Sequence, residues 1–367
     1  MDHHRRAFII PVLLSLIFYS CSNHKPVEVT RSYYYWRSDG VLTEPEKKFL
    51  AVHNIRKVYV RLMDIDWSEV FGAIPVSEGD ADGLNMALNH WDSAKTGLVP
   101  VVFITNKTFE RIDSADIRQL AVRVLRRCLL DYDSVDRNYE AERRYQVGDK
   151  FQPKEIQIDC DWTTGTRNKY FYFLEKLKAL LPNNTISISA TIRLHQYKNP
   201  GMTGVPPVNR GMLMVYNISD LRQYSPVNSI YDNDKAKPYF RSSKKYSLPL
   251  DIVLPAYSWS IIFRDHKFYQ IENGLSEKDL KALSFLERKN NGFYAVKEDT
   301  VYRDVFLRPG DEIKPEGIDS FTLNQAAALA REAVNADRFS LAFFELSEPE
   351  IANYSYETIE SIYASYR

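Results

Sequence analysis

The chain predicts an α/β fold, specifically a (β/α)₈ TIM-like barrel, on three observations. Eight strand-like runs recur along it, helical patterns separate most of them, and no glycine-rich phosphate turn follows the first strand, as a doubly wound open sheet would offer. Ser32 to Arg37 is the first, a short aromatic strand. Thr43-Glu44-Pro45-Glu46 then starts a helix: the Thr43 hydroxyl can cap it, Pro45 fits its first turn, and an amphipathic run continues to Asn54. Lys57 to Asp66 is the second strand and Leu98 to Thr105 the third, followed by a strongly periodic helix from Ala115 to Leu130. Glu155 to Trp162 is the fourth, backed by a helix from Asn168 to Leu181 that Pro182-Asn183-Asn184 ends. Thr185 to Arg193, Met212 to Asn217, Asp251 to Ser258 and Phe339 to Leu346 complete the eight.

One connection is far longer than the others. Residues 260–337, between the seventh and eighth strands, need structure of their own. Ile261 to Tyr269 reads as a hairpin around Asp265-His266, Val301 to Ile313 as a further β element with a turn at Arg308-Pro309-Gly310-Asp311, and Leu323 to Val334 as the returning helix. The insertion is expected to be a β-containing subdomain over or beside the barrel mouth.

The amino terminus reads as an export signal. His3, His4, Arg5 and Arg6 precede the apolar run Ala7 to Tyr19, which is short for a membrane span. Ser20-Cys21-Ser22-Asn23 follows and resembles the lipobox of bacterial lipoproteins, in which the cysteine is acylated. That resemblance implies a signal peptide over residues 1–21, lipidation at Cys21, a tether over 22–30 and a barrel over 31–367. An uncleaved anchor helix is the alternative. Both place the remainder outside the cytoplasm, attached to the cell envelope.

Lys plus Arg and Asp plus Glu both total 48, so no net field would hold the chain on nucleic acid, and any partner is recognised locally. Cys128 and Cys160 fall in apolar patterns as buried small hydrophobes, and no CxxC or HExxH spacing occurs, so neither a metal nor another cofactor is expected.

In a barrel the loops after the strands surround one mouth, so functional groups gather at the carboxyl ends. Those ends carry Tyr35 and Trp36, Asp64 and Asp66, Asp159, Asp161 and Trp162, Arg193 and His195, Tyr216 and Asn217, Tyr257 and Trp259, and Glu345. Asp159 and Asp161, two apart on a strand, share one face, while Ile158 and Cys160 take the other. Two carboxylates crowded on one face need a cation or a polar cavity. The competing reading for them is an ion pair with Arg61 or Arg193. Acids and amides with aromatic platforms suit a polyhydroxylated ligand, whose CH face packs on rings while its hydroxyls bond the polar groups. Core packing is the competing reading for each aromatic residue.

The run Gln157-Ile158-Asp159-Cys160-Asp161-Trp162-Thr163 resembles the fourth strand of family 18 glycoside hydrolases, with their DxxDxDxE pattern. With the alternating fifth strand, it is more similar still to a family of bacterial barrel proteins of unknown function that are remotely chitinase-like. Asp159 and Asp161 match the second and third acids of the pattern. The family's proton donor falls on Thr163 and its first acid on Ile156. A threonine is no acid near neutral pH, so the resemblance implies either that Asp161 or Glu345 took the role or that the barrel binds without cleaving.

The expectation is therefore a carbohydrate-acting barrel. As a glycoside hydrolase it would use Asp161 as donor, with Asp159 or Glu345 supporting charge. Tyr35, Trp36, Asp64, Trp162, Arg193, Tyr216, Asn217, Tyr257 and Trp259 are its expected substrate-binding residues. A silent glycan-binding lipoprotein and a scaffold for other surface lipoproteins are the alternatives.

Overall fold

The computed structural model of the protein describes residues 27–79, 96–129, 153–181, 186–241 and 245–366. The signal segment, Cys21 and most of the expected tether lie outside them. In chain order the barrel half runs β1 (Glu28–Tyr35), α1 (Glu44–Val52), β2 (Lys57–Ser68), β3 (Gly72–Glu78), β4 (Gly97–Ile104), α2 (Asn106–Arg111), α3 (Ile117–Cys128), β5 (Glu155–Asp159), α4 (Arg167–Leu180), β6 (Ser187–Arg193), α5 (Leu194–Lys198), α6 (Pro200–Thr203), β7 (Arg210–Met214), α7 (Asn233–Phe240) and β8 (Leu250–Pro255). The insertion holds β9 (Trp259–Arg264), β10 (Lys267–Asn273), α8 (Glu277–Lys281), β11 (Leu286–Arg288), β12 (Tyr294–Val296), β13 (Thr300–Tyr302), β14 (Val305–Leu307) and β15 (Glu312–Glu316). α9 (Ser320–Ala330), β16 (Arg338–Phe344), α10 (Glu348–Ile351) and α11 (Tyr356–Ser365) complete the chain.

Eight parallel strands form a closed ring in the order β1-β16-β8-β7-β6-β5-β4-β2, and β1 pairs with β2 from Ser32↔Lys57 to Tyr35↔Val60 to close it. The predicted barrel is the fold. β1 starts earlier than its aromatic core suggests: Glu28, Val29 and Thr30, read as tether, pair with Arg338, Phe339 and Ser340. β3 runs antiparallel to β2 outside the ring, continuing a hairpin beyond the mouth.

The local signals act as their chemistry dictates. Thr43 and Glu46 form a capping box on α1, with the Glu46 carboxylate accepting the Thr43 N–H at 2.9 Å. α3 buries Ile117, Leu120, Ala121, Val124, Leu125 and Cys128, the three- and four-residue spacing of one helical face. Cys128 and Cys160 are both free and buried.

Inside the ring, β5 turns Glu155, Gln157 and Asp159 inward, which requires partners for each because a buried polar group left unbonded is costly. At the amino-terminal end Glu155 accepts from Lys57 at 2.9 Å and Ser189 at 2.6 Å. One tier up, Gln157 accepts from the Tyr34 hydroxyl at 2.5 Å, and the Tyr34 ring stacks on Tyr59 with centroids 4.7 Å apart. Asp159 forms the top tier, next to the mouth.

In the insertion, the hairpin forms around Asp265-His266, both at positive φ (52° and 60°), and leads into a five-stranded sheet in the order β10-β9-β15-β12-β11, with β13 and β14 as a separate pair.

Candidate functional site at the barrel mouth

A cavity of about 480 Å³ opens at the carboxyl ends of the ring strands. Its apolar wall is a chain of rings. Trp36, just past β1, meets Phe344 at 5.5 Å; Phe344 meets Tyr216 at 5.5 Å and Tyr257 at 5.3 Å; Tyr257 meets Trp259 edge-on at 5.3 Å. Polar bonds fix two of these rings. Asn217 adopts a left-handed conformation (φ 55°), which asparagine tolerates, and its Oδ1 accepts the Tyr257 hydroxyl at 2.8 Å. Glu316 of β15 accepts the Trp259 indole N–H at 2.7 Å, so the insertion holds one face of the mouth.

The charged groups come mostly in pairs. Arg37 lies bidentate on Glu46 at 2.7 and 2.9 Å, and the same carboxylate accepts the Glu348 N–H at 2.9 Å. Arg61 lies bidentate on Asp64, with Nε to Oδ1 at 2.9 Å. Three residues apart, they would face opposite ways on a regular strand. A register shift between Arg61 and Met63 against β4 places an extra residue there and brings both to the mouth. The carbonyl of the extra residue, Leu62, is satisfied by the Gly79 N–H at 2.7 Å.

Asp161 is bound by Arg193, Nη2 to Oδ2 at 2.8 Å and Nε to Oδ1. Asp159 accepts the Thr191 hydroxyl at 2.6 Å. Burial pushes the Asp159 carboxyl up to about 6, with Asp161 adding to the rise and Arg193 and Thr191 opposing it.

Glu345 differs from all of these. No hydrogen bond or ion pair reaches its carboxylate from any described residue, and it faces the cavity. Burial, and then the Glu350 carboxylate behind it, push its pKa up to about 7 against the pull of Arg37 and Arg61. Three buried donors on lining residues also lack a hydrogen-bond partner among the described residues: Arg37 Nε, Arg193 Nη1 and the Tyr216 hydroxyl. A ligand acceptor oxygen in the cavity would satisfy them.

Of the expected site residues, Trp36, Asp64, Asp159, Arg193, Tyr216, Asn217, Tyr257, Trp259 and Glu345 line this cavity. Three stand elsewhere. Tyr35 points outward, its hydroxyl donating to Asp39 and to the Val41 carbonyl (2.9 Å). Trp162 is wholly buried beneath α4, stacked on Tyr170 at 5.2 Å with its indole N–H on the Thr203 carbonyl at 2.9 Å, so it has no face to offer a ligand. Asp161 sits past the strand end, its side chain 47% exposed, facing Arg193. Asp66 accepts from Thr105 (2.5 Å) and the Trp67 N–H (2.8 Å), a loop-fixing role. Sequence reasoning missed Tyr34, Arg37, Phe344 and Asn273 as lining residues. Tyr34 shares the parity of Trp36 and was legible; Asn273 arrives from β10 and has no local signal. Among the described residues no group of three or more His, Cys, Asp or Glu side chains could hold a metal ion.

No protein-family model matches the chain, and no curated protein matches it. Solved structures do. The spore cortex-lytic enzyme SleL of Bacillus megaterium QM B1551 is 10% identical with a TM-score of 0.53, over 94% of this chain and 75% of that one. A plant class V chitinase mutant from Cycas revoluta, in complex with (GlcNAc)3, is 10% identical with a TM-score of 0.51, over 92% and 99%. A glycoside hydrolase family 18 N-acetylglucosaminidase from Paenibacillus barengoltzii is 8% identical with a TM-score of 0.50, over 92% and 99%. At such identities the likeness is one of architecture: this chain shares the closed, eight-stranded parallel barrel of chitinase-like proteins.

Proposed function

We propose that the protein binds a glycan at the barrel mouth and hydrolyses a glycosidic bond there, with Glu345 as general acid. The observation that carries this reading is the Glu345 carboxyl, which faces a ring-lined cavity with no bonding partner among the described residues. A carboxyl that stays protonated close to neutral pH can give its proton to a leaving oxygen. Asp161, expected from sequence to be the donor, has both oxygens engaged by Arg193, so its role here is to position that guanidinium. Asp159, ionised above about 6, supports the positive charge that develops on the sugar ring. Trp36, Tyr216, Tyr257 and Trp259 supply faces for the sugar, and the unpartnered Arg193 and Tyr216 donors take an acceptor oxygen of the ligand. The chitinase-like fold supports the saccharide class.

A second reading, binding without cleavage, is favoured by one observation: Thr163 stands where the resembling pattern has its proton donor, and it is exposed. Release of sugar from N-acetylglucosamine oligomers by wild type and Glu345→Gln separates the two. Turnover that falls about a hundred- to ten-thousand-fold in the variant while binding persists supports hydrolysis. Binding without turnover in wild type establishes the second reading, and no binding at all rejects both.

We further propose that the protein works outside the cytoplasm, held at the cell envelope by lipid on Cys21. The basic start, apolar run and small residue before a lone cysteine support this. Among the described residues no helix is long and apolar enough to cross a membrane.

A further inference from the structure

The two ends of the barrel carry opposite charge. At the mouth end, acids stand in or before the first turns of helices: Glu44 in α1, Asp116 before α3, Asp319 before α9 and Glu348 in α10. The connections that return the chain to the ring strands lie at the base, and cations stand there. Arg126 and Lys178 occupy the last turns of α3 and α4, and Arg331 caps the end of α9. Arg56, Lys154 and Lys245 stand in the approaches to β2, β5 and β8, and all six are exposed. The helix-end cations complement the dipoles of their own helices. The other three belong to no helix, so helix stability does not account for the face as a whole.

Little offsets this charge. Among the described residues no carboxylate forms an ion pair with Arg126, Lys154, Lys178, Lys245 or Arg331. Glu155 and Asp251 at the base are buried and held by Lys57 and Arg210, and Glu28 pairs with Arg338 at 2.8 Å. Glu332 and Asp337 are the exposed carboxylates that remain in these connections. Most of the exposed large apolar side chains stand toward the mouth or on the insertion, among them Val70, Phe71, Val301, Phe306 and Phe321, which leaves charge as the means of contact at the base. The cations follow the ring from β2 past β5 and β8 to the approach to β16, and no single cleft gathers them. A broad anionic surface reaches all of them at once, whereas a narrow polymer reaches a few.

We propose that the base of the barrel rests electrostatically on an anionic lipid membrane, with this ring of cations among the phosphate headgroups. The choice of a membrane over another polyanion rests on reading Cys21 as a lipid anchor, because β1 joins the ring on this face, Glu28 pairing with Arg338. The test uses the unlipidated chain from Ser22 onward, which keeps the whole ring, in sedimentation with vesicles. These are phosphatidylcholine alone, or with about a third of phosphatidylglycerol to supply the negative surface potential. The expected result is binding to the anionic vesicles at low salt, none to the neutral ones, and loss of binding as salt screens the contact. Arg126→Gln, Lys154→Gln and Lys178→Gln combined should weaken it about a hundredfold, and Lys245→Gln with Arg331→Gln, across the ring, about twentyfold. Lys107→Gln, Arg111→Gln and Arg118→Gln combined remove the same charge from the mouth end and should leave it unchanged; the unfolding midpoint of each variant checks its fold. Equal binding to neutral vesicles, or equal weakening by the mouth-end substitutions, would overturn the proposal. Heparin bound as tightly as the vesicles would assign the face to a soluble polyanion instead. Vesicle binding that persists although Cys21 carries no acyl chain in cells would remove the anchor and leave this face standing, while an acylated protein whose unlipidated chain ignores anionic vesicles would remove the face alone.

Discussion

Arg61 and Asp64 form a bidentate pair at the mouth only because β2 carries one extra residue between them, at Leu62. The pairing sets the field that Glu345 feels, since Arg61 is one of the two guanidiniums that pull the Glu345 carboxyl down against burial. Arg61→Met removes that pull, so the pKa of Glu345 rises and the alkaline limb of the pH–activity profile moves to higher pH. Asp64→Asn leaves Arg61 uncompensated and moves it the other way. Profiles of kcat/KM for the two variants should therefore shift in opposite senses; parallel shifts would disconnect Glu345 from the limb.

The wild-type profile itself should be a narrow bell. Asp159 must be ionised, so activity falls as pH drops through about 6; Glu345 must be protonated, so activity falls as pH rises through about 7. Glu345→Gln should erase the alkaline limb from whatever activity remains, as measured by initial rates across the range.

Stability should respond to Asp159 with the opposite sign from a salt-bridged carboxylate. Its folded value, about 6, exceeds its ordinary 3.8, so the native state holds the proton more tightly than the unfolded chain does. The stabilisation this gives is complete below the unfolded value and is lost as pH rises through about 6. Urea unfolding of wild type should show that loss between about pH 4 and 6, and Asp159→Asn should show less of it.

Two tryptophans that look alike in sequence should separate cleanly. Trp162→Ala leaves a cavity under α4 and should cost about 3–5 kcal/mol in denaturant unfolding, with ligand affinity of the folded protein unchanged. Trp36→Ala, half-buried at the mouth, should weaken oligosaccharide binding about tenfold with a smaller loss of stability.

Cys21→Ala should move the protein from the membrane fraction to the soluble fraction of cells, and mass spectrometry should find acyl chains on Cys21 of the wild type alone. An amino terminus retained ahead of residue 21 in the mature wild-type protein would favour the uncleaved anchor.

The ring was legible because apolar runs at barrel spacing have few other solutions, and the parity of β5 was legible because side chains alternate. That parity also decides the two misplaced aromatics. Tyr35 and Trp162 stand on the outward parity of their strands, with Tyr33 and with Ile158 and Cys160, whereas Tyr34 and Trp36 stand on the inward one. Proximity to the strand end outweighed alternation in placing them. The register shift at Leu62 was not legible, since it depends on how β2 meets β4 and on the Gly79 amide that takes the displaced carbonyl. Nor was the Arg37–Glu46 contact, where one carboxylate serves a helix cap and a mouth guanidinium at once. The residue that β10 lends to the mouth, Asn273, depends on the path of a long connection, which no local pattern encodes.

β1 begins at Glu28, only seven residues beyond Cys21, and it enters the ring at the end opposite the mouth. Seven residues span at most roughly 25 Å. If Cys21 carries acyl chains as proposed, so short a leash would hold the amino-terminal end of the barrel near the bilayer and leave the open end facing away. Glycan strands lying away from the lipid surface would then be met head-on, and those lying flat against it would be out of reach.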